Sequence, residues 1–134
     1  MRLHHLSGRK VCDAVVRKGR VWKGKHLIVR WLPGLPKGLK PAAKQGLYVG
    51  TLASAKLSKK AVERNRMRRR CREALRLAVR ERDSLPTIQL LLCPRAGSLH
   101  APFPDIQREV GMFLSSLPRS ERLSPAGGMP ALDN

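Results

Sequence analysis

The amino-acid sequence predicts a single α+β domain, folded as a two-layer α/β sandwich. Short β-branched and aromatic runs predict strands, and segments with apolar residues at helical spacing predict helices. Their succession along the chain favours helices packed on a sheet. The predicted order is helix, strand, strand, an optional third strand, helix, strand, helix. With 134 residues, 42% of them hydrophobic, the chain can bury a core.

The first predicted helix runs from Gly8 to Lys18, and Gly19 is placed to end it. Its apolar positions recur at helical spacing: Val11, Cys12, Val15 and Val16. The segments His26–Leu32 and Leu47–Ala53 are rich in β-branched and aromatic residues, so each predicts a strand.

Two connecting segments flank the second of these strands. Pro33–Gly46 combines prolines, lysines and glycines without periodicity, which indicates a loop. Ser54–Lys60 is a polar connection that leaves room for a further short strand or a bulge.

The longest predicted helix runs from Lys60 to Arg82, before Pro86. At about 100° per residue, its small apolar side chains fall on one stripe: Met67, Cys71, Ala74, Leu75 and Ala78. The opposite side is polar and basic: Asn65, Arg68, Arg69, Arg72 and Arg76, with Arg66 and Arg70 at another edge. The spacing therefore separates a face that can pack on a sheet from a face that is basic.

Two elements complete the predicted domain. Ile88–Cys93 is almost entirely apolar, which predicts a central strand covered on both faces. A closing helix is predicted from Phe103 to Leu117, with an inner stripe of Ile106, Val110, Phe113, Leu114 and Leu117. Residues 118–134 have too few apolar side chains to fold, so we expect a domain over 1–117 followed by a disordered tail.

The chain carries a large excess of positive charge. Lys and Arg number 28 against 9 Asp and Glu, which gives a formal net charge of +19. Six of the arginines fall between Arg64 and Arg72, and a guanidinium binds phosphate through two parallel hydrogen bonds. Because such a run repels itself unless a polyanion lies beside it, the sequence predicts a nucleic-acid partner.

Other kinds of site are not indicated. Cys12, Cys71 and Cys93 lack any CxxC spacing, which favours free thiols in a reducing compartment. The histidines form no metal-ligand pattern. No apolar run reaches the roughly 18 residues of a membrane span, and no secretory signal is visible. We therefore expect a cytoplasmic protein with no membrane partner, no metal bound by its own side chains and no protein partner that can be inferred.

The segment Ala61–Arg76, AVERNRMRRRCREALR, resembles the arginine-asparagine-arginine helix in the protein subunit of bacterial ribonuclease P. The resemblance extends from about Arg9 to Leu117. It includes the Arg17–Gly19 end of the first helix and the Cys93–Arg95 end of the later strand.

This resemblance implies a ribonucleoprotein endonuclease. In that family a catalytic RNA subunit, with Mg²⁺, hydrolyses the phosphodiester at the mature 5′ end of precursor tRNA. The protein subunit contributes no catalytic side chain; it supports the RNA and binds the 5′ leader of the substrate. The family fold also has a left-handed βαβ crossover, whereas such connections are usually right-handed.

The resemblance also implies two sets of site residues. Those expected to face the catalytic RNA are Arg64, Asn65, Arg66, Arg68, Arg69, Arg72 and Arg76. In the family the leader lies across a cleft between the first helix and the sheet. The candidate contacts with the leader or tRNA are Cys12, Val16, Lys25, Arg30, Tyr48, Lys56 and Lys60.

The chain departs from the family pattern in three places. Cys12 and Val16 stand where the family usually has aromatic residues, so we expect weaker stacking on the leader. The Ser58–Lys60 run lies closer to Arg64 than the corresponding family run does, and the Pro33–Gly46 loop is longer than usual.

Alternatives remain open from the sequence alone. The chain would otherwise be a structural RNA-binding protein without a role in processing, or a protein-only nuclease that uses His26 and His100. Asn65 would otherwise be a helix cap or a surface amide. Trp22 and Trp31 would be either core or rim residues or contacts for leader bases, and core or rim positions are the alternative for Cys12, Val16 and Tyr48. A role in solubility is the alternative for Lys25, Arg30 and Lys56.

Overall fold

The computed structural model describes residues 3–6, 8–36, 46–82 and 85–117. Within these ranges the elements are, in chain order, β1 (Leu3–His5), α1 (Arg9–Lys18), β2 (Arg20–Lys23), β3 (Leu27–Pro33), β4 (Leu47–Thr51), α2 (Ala61–Arg80), β5 (Ile88–Pro94), a short 3-10 helix (Ala96–Leu99) and α3 (Phe103–Ser116). The predicted tail 118–134 and most of the predicted 33–46 loop lie outside the described residues.

The predicted α+β class and the order of its main elements are confirmed. The sequence analysis does not predict β1 and β2, because strands of three and four residues are too short to show an alternating pattern. The optional strand within Ser54–Lys60 is wrong: this connection contains a turn at residues 55–57 and no strand.

The five described strands form one sheet in the order β1-β4-β5-β3-β2. β4 is parallel to both β1 and β5, whereas β3 is antiparallel to both β5 and β2. Because α2 joins the adjacent parallel strands β4 and β5, the unit is a βαβ crossover; its left-handed sense stays a prediction. β5 is central as predicted, with six of its seven residues buried.

Alternate residues of the strands contribute to two cores on opposite faces of the sheet. On the first face, α2 and α3 cover Val29 and Leu90. On the second face, α1 packs through Val15 against Tyr48 and Leu91. The sheet with α2 and α3 forms the predicted two layers, and α1 adds a partial third layer.

α3 closes the first core as its predicted stripe requires. Phe113 is fully buried and meets the rings of Trp22 and Trp31 edge-on, at centroid distances of 5.8 and 6.3 Å. Both tryptophans therefore belong to the core and its rim. None of the described helices is long and apolar enough to cross a membrane.

Candidate nucleic-acid interface

The predicted packing face of α2 is buried, and none of its five residues is more than 6% exposed. Ser58 organises the start of the helix. Its hydroxyl donates to Glu63 Oε1 at 2.7 Å and accepts from the backbone N–H of Lys60 at 3.2 Å. Lys60 is the N-cap residue, so Asn65 is not a cap but a surface residue within the helix.

Two arginines near the start of α2 are bound to the connection that precedes it. Arg64 Nη1 donates to the carbonyl of Ser58 at 2.8 Å. Arg68 donates to Asn65 Oδ1 at 2.7 Å and to the carbonyl of Ala53 at 3.2 Å. These guanidinium groups fix the β4–α2 connection against the helix, which limits how they can face a partner.

Two further arginines are bound within the fold. Arg70 Nε donates to the carbonyl of Ser98 at 3.0 Å, and its Nη2 donates to the carbonyl of Ala101. Arg76 donates two hydrogen bonds to the carboxylate of Glu73, at 2.9 and 2.6 Å. The bond from Arg76 lowers the pKa of the Glu73 carboxyl, so that pair stays charged and neutralises itself.

Arg66, Arg69 and Arg72 differ from these four. All three are exposed, and none has a hydrogen-bond or ion-pair partner among the described residues. They recur every third residue, so they form a row along the outer side of α2. We call them the free arginines: three guanidinium groups whose donors are available to phosphate oxygens.

The second face of the sheet brings together several predicted leader contacts. Cys12 of α1 and Cys93 of β5 both pack at the edge of the second core. Arg30 pairs with Val21 across β3 and β2, and its place in the strand alternation puts it on this same face. Val16 follows Cys12 by one helical turn and is 38% exposed. We call this group the cleft: Cys12, Val16, Val21, Arg30 and Cys93.

The thiols of this protein are poorly ionised. Burial, reinforced by the nearby Asp13 carboxylate, raises the pKa of Cys12. Burial also raises the pKa of Cys93, although the charge of Arg30 and a hydrogen bond from it oppose the effect. Cys71, on the buried face of α2, has its pKa raised to about 12, chiefly by burial. The cleft therefore presents neutral thiols and aliphatic groups around one guanidinium.

The other predicted leader contacts do not extend the cleft: Tyr48 lies in the second core beside it, and the three lysines lie in connections elsewhere. Tyr48 is only 7% exposed and stacks on His4 with ring centroids 4.7 Å apart, so it has little surface left for a base. Lys25 lies exposed in the β2–β3 turn. Lys56 and Lys60 lie exposed in the β4–α2 connection.

The histidines proposed for a nuclease are not brought together by any described contact. His26 Nδ1 lies 2.9 Å from Glu109 Oε2, whereas His100 is exposed at the end of the 3-10 helix. In the described ranges, no three His, Cys, Asp or Glu side chains are grouped closely enough to hold a metal ion.

The sequence analysis does not select Glu109 and Arg95, which meet at the β2–β3 turn. The available signal for Glu109 is its position on the inner, otherwise apolar side of α3, between Ile106 and Val110. An acid on that side needs polar partners once it is buried.

Comparisons with known proteins agree with this architecture. The family model described as Ribonuclease P matches residues 1–118. The ribonuclease P protein component of Thermus thermophilus is 38% identical over 95 residues, which cover 71% of this chain and 48% of the relative. That of Rickettsia bellii is 28% identical over 105 residues, which cover 78% of this chain and 86% of the relative. The chain thus spans about half the length of its Thermus thermophilus relative.

Two solved structures share the fold. The ribonuclease P protein from Thermotoga maritima superposes with a TM-score of 0.65 at 18% identity, covering 86% of this chain and 98% of that chain. The ribonuclease P protein from Staphylococcus aureus gives 0.64 at 17% identity, covering 84% and 93%. With its buried seam and outward arginines on α2, and with the family model matched over nearly its whole length, this chain belongs to the ribonuclease P protein family.

Proposed function

We propose that this chain is the protein subunit of a ribonuclease P holoenzyme, which assists a catalytic RNA in removing the 5′ leader from precursor tRNA. The free arginines are the observation that carries the proposal. Four other arginines of α2 (Arg64, Arg68, Arg70 and Arg76) are bound to protein acceptors, yet these three stay exposed without a described partner. Such a row of unmatched charge is suited to the backbone of a large RNA.

The free arginines and the cleft would bind different RNA molecules. The free arginines, together with Asn65, would bind the RNA subunit, and the cleft would hold the single-stranded leader. Phosphate contacts do not distinguish sequences, and aliphatic contacts to a strand distinguish them weakly. This combination suits a subunit whose substrates carry different leaders, and it would act in the cytoplasm where precursor tRNA is processed.

Hydrolysis itself would belong to the RNA. Mg²⁺ bound by that RNA supplies an activated water and stabilises the leaving oxygen. The arginines of this chain would lower the repulsion among crowded phosphates, so that the assembled particle needs less added Mg²⁺. No side chain of this protein is proposed to transfer a proton or attack the phosphodiester.

Reconstitution tests the proposal. The purified chain is combined with a bacterial-type catalytic RNA, and cleavage of a precursor tRNA is followed at limiting Mg²⁺. We expect the chain to stimulate cleavage at the mature 5′ end and to be inactive without the RNA. RNA binding without stimulation would favour a structural RNA-binding protein. Cleavage by RNA-free protein that disappears in His26→Ala or His100→Ala would favour a protein-only nuclease.

A further inference from the structure

The buried carboxylate of Glu109 binds the β2–β3 turn, residues Gly24–His26, and holds it in place. Oε1 of Glu109 accepts hydrogen bonds from the backbone N–H of His26 at 2.8 Å and of Leu27 at 3.0 Å. Its Oε2 lies 2.9 Å from His26 Nδ1. Glu109 is 8% exposed and is the one buried acid in the described structure. A buried carboxylate needs such partners, and here all of them belong to the turn and the strand it opens.

Gly24 and Arg95 also constrain the conformation of this turn. A Cβ atom on Gly24 would overlap Oε1 of Glu109, so only glycine leaves room for the carboxylate. Arg95 donates from its backbone N–H to the carbonyl of His26 at 2.9 Å. Its Nη1 donates to the carbonyl of Gly24 at 3.0 Å. A surface turn with this many tethers is far more ordered than an ordinary loop.

Two cations at this turn keep unused binding capacity. Lys25 is exposed and has no partner among the described residues. Arg95 is exposed, and its side chain uses one of its five N–H donors on the Gly24 carbonyl. The nearby carboxylates are already engaged, since Asp105 pairs with Arg108 at 3.3 Å and Glu109 lies beneath the turn.

The turn is connected to α2 through the segment that follows Arg95. That segment is the 3-10 helix Ala96–Leu99, and Arg70 of α2 donates to the carbonyl of Ser98 within it. Lys25 and Arg95 are therefore presented from a rigid part of the fold. Binding an anion between them would cost little ordering entropy.

We propose that Lys25 and Arg95 form a clamp for an RNA phosphodiester, and that Glu109 is the positioning residue that holds the clamp in shape. This clamp is a third RNA contact, distinct from the free arginines and from the cleft. It rests on the proposed function only in that RNA is the ligand. The phosphate comes either from the leader or from the RNA subunit, and both present the same chemistry.

The test uses the full chain and measures two affinities over a range of salt concentrations. One is the affinity of the chain for a bacterial-type catalytic RNA; the other is the affinity of the holoenzyme for precursor tRNA with and without its leader. We expect Lys25→Ala to weaken one of them several-fold. The slope of log affinity against log salt should fall by about 0.7 to 0.9, the change expected for one lost phosphate contact.

The role of Glu109 is tested by coupling. Glu109→Ala should reduce the same affinity and the same salt slope, and Lys25→Ala should add little on that background. Gly24→Ala should act like Glu109→Ala, because it displaces the carboxylate. Glu109→Gln keeps an acceptor for both backbone N–H groups and should restore most of the affinity. A purely structural role would instead lower thermal stability and leave the effect of Lys25→Ala intact.

A matched control is included, and comparing the two affinities identifies the source of the phosphate. The double variant Asp105→Ala, Arg108→Ala removes an exposed ion pair beside the turn, leaves the net charge unchanged and should change neither affinity. A loss confined to leader-bearing substrate assigns the phosphate to the leader, and a loss in binding the catalytic RNA assigns it to that RNA. Unchanged affinity and slope for Lys25→Ala in both measurements overturn the clamp. Failure of the wild-type chain to stimulate cleavage would overturn the proposed function, yet RNA binding would still test the clamp.

Discussion

The free arginines and the cleft lie on different elements and offer RNA opposite chemistries. The free arginines are exposed guanidinium groups on α2 without a hydrogen-bond or ion-pair partner among the described residues. The cleft presents thiols and valines around Arg30, at the edge of a packed core. Exposed guanidinium groups bind RNA phosphates strongly, and this affinity falls as the salt concentration rises. The contacts that thiols and valines make with a strand are weaker. We therefore expect assembly with the catalytic RNA to depend on α2 and substrate selection to depend on the cleft.

The largest effect should come from reversing charge on the free arginines. Arg66→Glu combined with Arg69→Glu removes two charge-assisted contacts, each worth about 1.5–3 kcal/mol. We expect binding to the catalytic RNA to weaken by roughly a hundredfold or more. The slope of log affinity against log salt should fall by about 1.4–1.8. Filter binding or fluorescence titration over a salt series measures both quantities.

Arg76→Ala is the matched control for that experiment. Arg76 lies on the same side of α2, but Glu73 already neutralises it through two hydrogen bonds. We therefore expect a much smaller change in affinity and slope. Equal effects from Arg76→Ala and from Arg69→Ala would show that the described pairing does not decide which arginines bind RNA.

Arg70→Ala should affect the fold more than RNA binding. Arg70 satisfies two backbone carbonyls, those of Ser98 and Ala101, where the chain passes beside α2. Removing their donor should lower the free energy of unfolding by about 1–3 kcal/mol. Urea denaturation measures this loss, and the salt slope of RNA binding should stay as in the wild type. A reduced slope with unchanged stability would make Arg70 an RNA contact instead.

This division among arginines explains how far the sequence predicts the site. Helical periodicity is a local property, so it predicts both the buried stripe of α2 and its basic side. Which arginines stay free depends on acceptors elsewhere in the fold: Ala53 binds Arg68, and Ser98 binds Arg70. Because these acceptors lie on other elements, the sequence of α2 alone does not show which of its arginines reach them.

The fold shows the same limit. Long periodic segments such as α2 and the apolar strand β5 are predicted from their own residues. β1 and β2 exist because neighbours pair with them, as His4 pairs with Tyr48 and Val21 with Arg30. The tethering of the β2–β3 turn by Glu109 is also invisible in sequence, because the two parts are 83 residues apart.

A smaller effect is expected from adding an aromatic ring to the cleft. Val16 is 38% exposed at the edge of the cleft, so Val16→Phe has room for a ring that can stack on a leader base. A stacked base contributes about 1–3 kcal/mol in single-strand binding sites, and partial stacking should tighten holoenzyme binding of leader-bearing precursor several-fold. Leaderless tRNA should bind as before. Met112→Phe adds the same ring at an exposed position on α3 and should have no effect; equal gains from both variants would contradict a leader contact at Val16.

The smallest perturbation leaves the sequence unchanged and uses the thiols as reporters. Because burial raises the pKa of Cys12 and Cys93, maleimide-type labelling should be slow near neutral pH and should speed up as the pH rises past the ordinary thiol value. Cys71, with a pKa of about 12, has roughly one thiolate in ten thousand at pH 8 and should label only when the protein unfolds. In the holoenzyme, leader-bearing precursor should protect Cys12 and Cys93, whereas leaderless tRNA should not. Equal protection by both RNAs would mean that the RNA subunit, rather than the leader, covers the cleft.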